Sequence, residues 1–169
     1  MSRRVAFFDT SLLCCWLKVP GKEQAGTPPD MWDADRVDAL VQALLRERST
    51  MIMPFATIIE TGNHIAQATR DRFTCATEFA RHLRHAAQSE YPWAAFMEQA
   101  DLWKPERMLS LAEEWPRLAA ARISLGDATI KDVANYYAAA GCEVTILTAD
   151  AGLRAYQPAR PVKKPRRRL

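Results

Sequence analysis

Four acidic side chains in this sequence have the types and the spacing needed to hold a divalent cation. They are Asp9, Glu60, Asp127 and Asp150. Carboxylates that share one crevice repel each other, so their pKa values rise unless a cation compensates. Hard oxygen donors without a nearby Cys or a pair of His favour Mg²⁺ or Mn²⁺ over zinc. A cation held in this way activates water and neutralises charge on a phosphoryl group, which is the chemistry of metal-dependent nucleases.

Two of these acids follow predicted strands. Asp9 comes directly after the short apolar run 5–8, which is typical of a strand buried on both faces. Asp150 comes shortly after the β-branched run 144–147. Ligands bind at the carboxyl ends of the strands in an open parallel sheet. The sequence therefore predicts that both acids lie at one edge of a sheet.

The other two acids lie on predicted helices that can reach the same edge. Glu60 is in the helix that follows a second apolar run, 51–53, with Pro54 at the first helical position. Asp127 is in the first turn of a helix that opens at Gly126. Taken singly, each acid also has a simpler explanation as a helix cap, a favourable charge in a first turn or a surface residue.

Strands that alternate with helices, with connections too long for hairpins, imply crossovers and a parallel sheet. We expect one α/β domain over residues 1–157, with a central, mostly parallel sheet of four to five strands flanked by helices. The Pro- and Gly-rich segment 18–33 predicts a mobile loop. Residues 91–122 predict a helical insertion broken by prolines, and residues 158–169 predict a disordered basic tail.

The charge distribution excludes a broadly basic nucleic-acid binder. The 169 residues carry a net charge of +3, but six of the 23 basic residues fall in the last ten positions. Residues 1–159 hold 17 basic and 20 acidic residues, so the body of the chain is mildly acidic. With 49% hydrophobic residues, the chain is also too apolar to be disordered.

The cysteines and the apolar runs predict a cytoplasmic protein without a membrane segment. The four cysteines, Cys14, Cys15, Cys75 and Cys142, form no CxxC pair and no zinc spacing. Small buried thiols in a reducing compartment explain them. No apolar run approaches the roughly 20 residues that span a bilayer.

Four short motifs occur in a fixed order along most of the chain. They are Val5-Ala6-Phe7-Phe8-Asp9-Thr10-Ser11, Glu60 on the second-strand helix, Leu125-Gly126-Asp127-Ala128-Thr129-Ile130 and Leu147-Thr148-Ala149-Asp150. This arrangement resembles the PIN-domain ribonucleases, above all the toxin (VapC-like) branch of bacterial toxin–antitoxin systems. The segments 18–33 and 91–122 and the basic tail lie outside these motifs.

The resemblance implies an endoribonuclease that depends on Mg²⁺ or Mn²⁺ and leaves a 5′-phosphate and a 3′-hydroxyl. It implies that the catalytic metal ligands are Asp9, Glu60, Asp127 and Asp150. Ser11 would orient Asp9 or the water, and Thr148 would hydrogen-bond near the site. The partners implied are an RNA substrate, a small antitoxin protein and a second copy of the chain in a homodimer.

Two other functions remain open at this point. The first is a non-catalytic PIN-like module that binds RNA or protein. The second is an aspartate-based phosphohydrolase, which would need an acid two residues after Asp9, where this chain has Ser11.

The histidines and aromatic residues have both a functional and a structural interpretation. His64, one helical turn after Glu60, is a candidate contact to metal or phosphate and otherwise a surface residue. His82 and His85 are expected on a solvated helix face. An aromatic cluster, most of which core packing explains, is a candidate for base stacking or a partner groove: Tyr91, Trp93, Phe96, Trp103 and Trp115.

Overall fold

The structure is a computed structural model that describes residues 3–94, 99–100, 103–156 and 158. In these residues strands and helices follow each other along the chain. The elements are β1 (Arg4–Phe8), α1 (Thr10–Trp16), β2 (Gln24–Thr27), β3 (Asp30–Asp33), α2 (Ala34–Arg46), β4 (Thr50–Ile52), α3 (Phe55–Gln67), α4 (Arg72–Ala87), α5 (Pro105–Ala120), α6 (Leu125–Ala139), β5 (Glu143–Leu147) and α7 (Ala151–Ala155). No helix in the described part of the chain combines the length and the apolar character needed to cross a membrane.

The main sheet has three parallel strands in the order β4-β1-β5. Val5 pairs with Thr50 on one side and with Val144 on the other, so β1 is the central strand. An α/β fold with a parallel sheet is therefore confirmed. The expectation of four to five strands is wrong for the described residues, which form three parallel strands and a separate two-stranded antiparallel sheet.

Among the described residues, the segment that lies beside the outer edge of β4 contacts this strand through one bridge. Met51 donates its N–H to the Pro92 carbonyl at 2.7 Å and accepts from the Ala94 N–H at 3.0 Å, which places Trp93 beside Met51. Pro92 itself has no N–H to offer to a strand ladder. The contact therefore remains an isolated bridge, outside the three strands.

The segment 18–33, predicted as a mobile loop, contains the β2–β3 hairpin. Gly26 pairs with Met31 across it, and Thr27 pairs with Asp30. Gly26 has φ +92°, and a Cβ at this position would collide with the Asp30 carbonyl. Of the Pro and Gly residues that indicated a loop, Pro28 and Pro29 thus form the tight connection between the two short strands, and Gly26 lies in β2.

The core lies on both faces of β1, because alternate side chains of a strand point to opposite sides. Ala6 and Phe8 pack in one apolar cluster with the buried residues of α1, α2, α3 and α4. Val5 and Phe7 pack in a second cluster with residues of α6, such as Val133. The sheet is therefore covered by helices on both faces, as a parallel sheet requires.

The stretch predicted as a helical insertion contains α5, which begins at Pro105 and continues through Pro116. Within it, none of the residues is fully buried. Of the aromatic cluster, Trp93 is buried, whereas Tyr91 and Trp103 are exposed. Phe96 and residues 159–169, which hold the charged part of the predicted tail, lie outside the described residues.

His82 is buried, contrary to the expectation of a solvated face. Its ring lies between Trp16, at 4.8 Å between ring centroids, and Trp93, at 5.5 Å. Its Nδ1 has no hydrogen-bond partner among the described residues. Burial, with a smaller effect from the Arg81 charge, lowers the pKa of His82 from 6.5 to about 4. The spacing of His82 and His85 along the helix does not by itself predict which histidine points toward the core.

We predict that His82 makes the folded state sensitive to mild acid. Because the pKa of His82 is about 4 when folded and near 6.5 when unfolded, the unfolded chain binds more protons between these values. The free energy of unfolding should therefore fall by about 2 to 3 kcal/mol as the pH drops from 6.5 to 4. Urea unfolding at several pH values, followed by circular dichroism, measures this loss.

The substitution His82→Phe keeps an aromatic ring between the tryptophans and removes the titration. It should flatten the pH dependence, whereas His85→Gln, on the same helix at a more exposed position, should leave it unchanged. An equal acid loss in wild type and His82→Phe would refute the assignment.

Candidate functional site

Asp9 lies at the carboxyl end of β1, and its side chain is only 7% exposed. Its Oδ2 accepts hydrogen bonds from the Ser11 hydroxyl at 2.7 Å and from the Thr148 hydroxyl at 2.8 Å. These donors are the two residues to which the resemblance gave supporting roles. Burial of a carboxylate is costly unless it is hydrogen-bonded, and these two bonds offset part of that cost.

The same two hydroxyls also accept hydrogen bonds from the loop after β5. The Ser11 oxygen accepts from the Ala149 N–H at 3.1 Å, and the Thr148 oxygen accepts from the Asp150 N–H at 3.0 Å. Each of the two hydroxyls therefore donates one hydrogen bond and accepts another. The Asp9 carboxylate is held in one orientation, and its Oδ1 has no hydrogen-bond partner among the described residues.

Glu60 lies in the second turn of α3, where Thr10 and Gly126 fix its carboxylate. Thr10 donates its hydroxyl to Glu60 Oε2 at 2.8 Å. The other oxygen, Oε1, lies against the first turn of α6, where a Cβ on Gly126 would collide with it. At the start of α3, Thr57 donates to the Phe8 carbonyl at 2.8 Å, which ties this helix to the end of β1.

Asp150 and Asp127 have different surroundings from Asp9. Asp150 is exposed and caps α7, because its Oδ1 accepts from the Leu153 N–H at 2.7 Å. Asp127 is half-buried in the first turn of α6, and its own N–H donates to the Ser124 hydroxyl. Asp9 also precedes a helix, but its side chain makes no capping hydrogen bond. Of the two acids at strand ends, only Asp150 serves as a helix cap.

One open cleft of about 360 Å³ contains two of the four predicted acids, Asp9 and Glu60. Its other lining residues are Thr10, Ser11, Cys14, Lys22, Gln24, Ala25, Gly26 and His64. Asp127 and Asp150 are not among them. In the described part of the chain, no three or more Asp, Glu, His or Cys residues lie close enough together to hold a metal ion.

The donor set of the cleft fits a hard cation with few protein ligands. Mg²⁺ is commonly bound by one or two carboxylates and completes its shell with water and substrate phosphate. Asp9 and Glu60 offer such a pair. Cys14 is an unsuitable ligand, because burial raises the pKa of its thiol to about 11 despite the opposite effects of the Thr61 side chain and the Lys22 charge, and metals bind the thiolate.

Three further contributions to the cleft were missed in the sequence. Thr10, directly after Asp9, has a side chain of the right type, but its partner Glu60 is 50 positions away. Gly126 lies in the motif at 125–130, but the motif did not show why a glycine stands there. A Cβ at this position would collide with the Glu60 carboxylate. Lys22 and Gln24 lie in the segment predicted as a mobile loop, so no local signal placed them at the site.

Comparison with known proteins assigns this chain to no family. No family profile matches it, and neither a curated protein nor a solved structure is similar to it at a significant level. The resemblance to PIN-domain ribonucleases therefore rests on the four short motifs at residues 5–11, 60, 125–130 and 147–150.

We predict that Thr148→Val destabilises the fold by about 2 kcal/mol. The substitution keeps the shape, but it removes a hydrogen bond to the Asp9 carboxylate and leaves the Asp150 N–H without its acceptor. Thr145→Val is the matched control, because Thr145 is an exposed residue of β5, the strand that directly precedes Thr148, and its effect should stay within about 0.5 kcal/mol. Urea unfolding measures both. Equal effects of the two substitutions would contradict the role assigned to Thr148.

Proposed function

We propose that this protein is a metal-dependent endoribonuclease that hydrolyses RNA phosphodiester bonds in the cleft containing Asp9 and Glu60. The observation that carries the proposal is the burial and hydrogen bonding of the Asp9 side chain. It is a buried carboxylate at the carboxyl end of the central strand, held by two hydroxyls, with one oxygen unpaired and no capping role. An open parallel sheet binds its ligands at this end.

Mg²⁺ or Mn²⁺ bound in the cleft would supply Lewis-acid polarisation of the scissile phosphate and activation of water. Asp9 and Glu60 would be its direct protein ligands. Ser11 and Thr148 keep Asp9 oriented, and Thr10 does the same for Glu60. These residues need little reorganisation for binding, because their hydrogen bonds already hold the carboxylates.

His64 also lines the cleft that contains the two acids. It lies one helical turn after Glu60, so both side chains are on one face of α3. In the proposed reaction it would contact a phosphate of the substrate. The sequence alone left its role open between this contact and an ordinary surface position.

The resemblance also assigns Asp127 and Asp150 to the metal site. Because these side chains are not among the residues that line the cleft, the proposal gives the direct ligand role first to Asp9 and Glu60. Asp150→Asn distinguishes a metal-ligand role of Asp150 from its helix-capping role, because Asn is also a good N-cap but has no negative charge. Loss of cleavage with retained stability would show a role in the reaction, and unchanged cleavage would show a capping role alone.

The proposal extends to a toxin of a toxin–antitoxin system, with a small antitoxin partner and a homodimer, on the strength of the resemblance. Expression in bacteria tests this extension. Wild type should arrest growth, and Asp9→Asn should not. If the wild type is expressed and cleaves RNA but growth is unaffected, the protein is a nuclease and the extension to a toxin is wrong.

A second candidate is a non-catalytic module that binds RNA or protein. It is favoured by one observation, the absence of a group of three or more acidic ligands in the described part of the chain. The state of the RNA after incubation with the protein distinguishes the two functions. A binding module retains RNA intact in Mg²⁺ or Mn²⁺, whereas the nuclease yields products with 5′-phosphate ends.

We predict that Asp9→Asn lowers RNA cleavage on the order of 100-fold or more while the fold survives. The loss follows because removal of one cation ligand forfeits several kcal/mol of charge stabilisation in the transition state. Wild type and variant are compared on a mixed RNA pool with Mn²⁺, and the cut ends are sequenced. EDTA should abolish cleavage by the wild type.

Glu113→Gln, on the exposed face of α5, is the control for loss of one negative charge. It should cleave as wild type does. Full activity of Asp9→Asn would refute the proposed site.

We predict that Gly126→Ala lowers cleavage at least tenfold with little change in stability. The added methyl group would displace the Glu60 carboxylate, which lies at the end of a flexible side chain and can move at low cost. Gly62→Ala, inside α3, meets no atom within 4 Å. It should stabilise the protein by about 0.5 to 1 kcal/mol and leave activity unchanged. Equal activity of the two variants would show that the position of Glu60 does not matter.

A further inference from the structure

The β2–β3 hairpin and the segment before it form part of the candidate cleft. Lys22 and the hairpin residues Gln24, Ala25 and Gly26 line the cleft together with Asp9 and Glu60. This part of the chain lies outside the motifs that carry the resemblance.

The hairpin is attached to the same loop that orients Asp9. Its Asp30 forms ion pairs with Arg36, at 2.6 Å, and with Arg154. Arg154 in turn donates to the Ala149 carbonyl at 3.2 Å. At the other end, the Cys15 thiol donates to the Glu23 carbonyl at 3.2 Å. The position of Lys22 relative to the two acids is thus set by contacts on both sides of the hairpin.

Lys22 differs from the arginines that surround the hairpin. Arg36, Arg70 and Arg154 each pair with an acid of this segment. The Lys22 ammonium is exposed and forms no hydrogen bond or ion pair with any residue that the structure describes. Its positive charge nevertheless acts on the cleft, because it lowers the pKa of Cys14 against the larger, opposite effect of burial.

The unpaired Lys22 ammonium offsets part of the negative charge that a nucleic acid would meet in the cleft. The two carboxylates repel phosphate, and the body of the chain outside its last ten residues has an acidic excess. A lysine binds phosphate as a point charge on a flexible stem and needs no fixed geometry. Beside the acids, it can hold a backbone phosphate without competing for the cation.

We infer that Lys22 is a substrate-binding residue, which contacts a backbone phosphate of single-stranded RNA in the cleft next to the scissile bond. The inference rests on the proposed function and extends it to the way in which the substrate is held. A contact to phosphate carries no base information, so Lys22 supports binding without selecting a sequence. Gln24, beside it on the cleft wall, offers a neutral side-chain amide to the same strand.

The experiment measures binding and cleavage of a labelled single-stranded RNA 12-mer by the full chain. Fluorescence anisotropy in EDTA gives Kd between 0.05 and 0.3 M KCl, and cleavage with Mn²⁺ gives kcat and KM. For Lys22→Ala we expect Kd and KM to rise about fivefold at 0.1 M salt, with kcat unchanged. The slope of log K against log salt should become flatter by about 0.7, the value for one phosphate contact to a single strand.

Two variants serve as controls. Lys22→Arg keeps the charge and should restore binding and slope. Arg46→Ala removes an exposed charge from the last turn of α2, whose following residue Glu47 pairs with Arg4 at the start of β1. This places Arg46 at the edge of the sheet opposite the cleft, so its loss should change neither Kd nor the slope.

The outcomes distinguish this inference from the proposed function. If wild type cleaves RNA and Lys22→Ala binds with the same Kd and slope, the inference is wrong and the nuclease proposal stands. If Lys22→Ala lowers kcat alone, Lys22 is not a binding residue. If RNA binding depends on Lys22 but the wild type does not cleave with Mn²⁺, the phosphate contact of Lys22 stands and the nuclease proposal fails. Wild type that neither binds nor cleaves RNA refutes both.

Discussion

The buried Asp9 carboxylate is the constraint on which the candidate site depends. Its two hydroxyl donors come from the start of α1 and from the end of β5, and Thr148 is 139 positions away in the sequence. A buried carboxylate without these donors would be strongly unfavourable. The hydrogen bonds that satisfy it therefore also connect the carboxyl ends of two neighbouring strands. One network thus serves both the packing of the sheet edge and the orientation of a candidate ligand.

The hairpin joins this arrangement through charges at its surface. Asp30 pairs with two arginines, and one of them, Arg154, reaches the carbonyls of the loop that orients Asp9. Ion pairs at a surface contribute little to stability. Their effect here is geometric, since they fix a segment with few apolar residues against the sheet edge. A Pro- and Gly-rich segment that the sequence predicts to be a mobile loop forms a wall of the cleft in this way.

Local patterns predicted much of the fold. Asp before a helix and Gly after one are local signals of helix ends: Asp33 caps α2, with its side chain accepting from the Arg36 N–H, and Gly141 follows α6 with φ +88°. The predicted strands at 5–8, 51–53 and 144–147 overlap β1, β4 and β5. The hairpin and the burial of His82 were not predictable in the same way. Short polar strands lack a periodic apolar signal, and the face of α4 that is buried depends on Trp16 and Trp93 from distant segments.

The sequence by itself determined the residue types and their places along the elements: an acid after each of two strands, an acid on each of two helices, and the hydroxyls beside them. Only the tertiary structure decided that the Asp9 carboxylate is bound by Thr148 instead of capping α1, and that Glu60 and Lys22 share a cleft with it. The physical reason is the range of the interactions. Caps and helical faces follow from neighbours three or four positions apart. The direction of a carboxylate or an ammonium at the site follows from hydrogen bonds and packing between segments far apart in the chain.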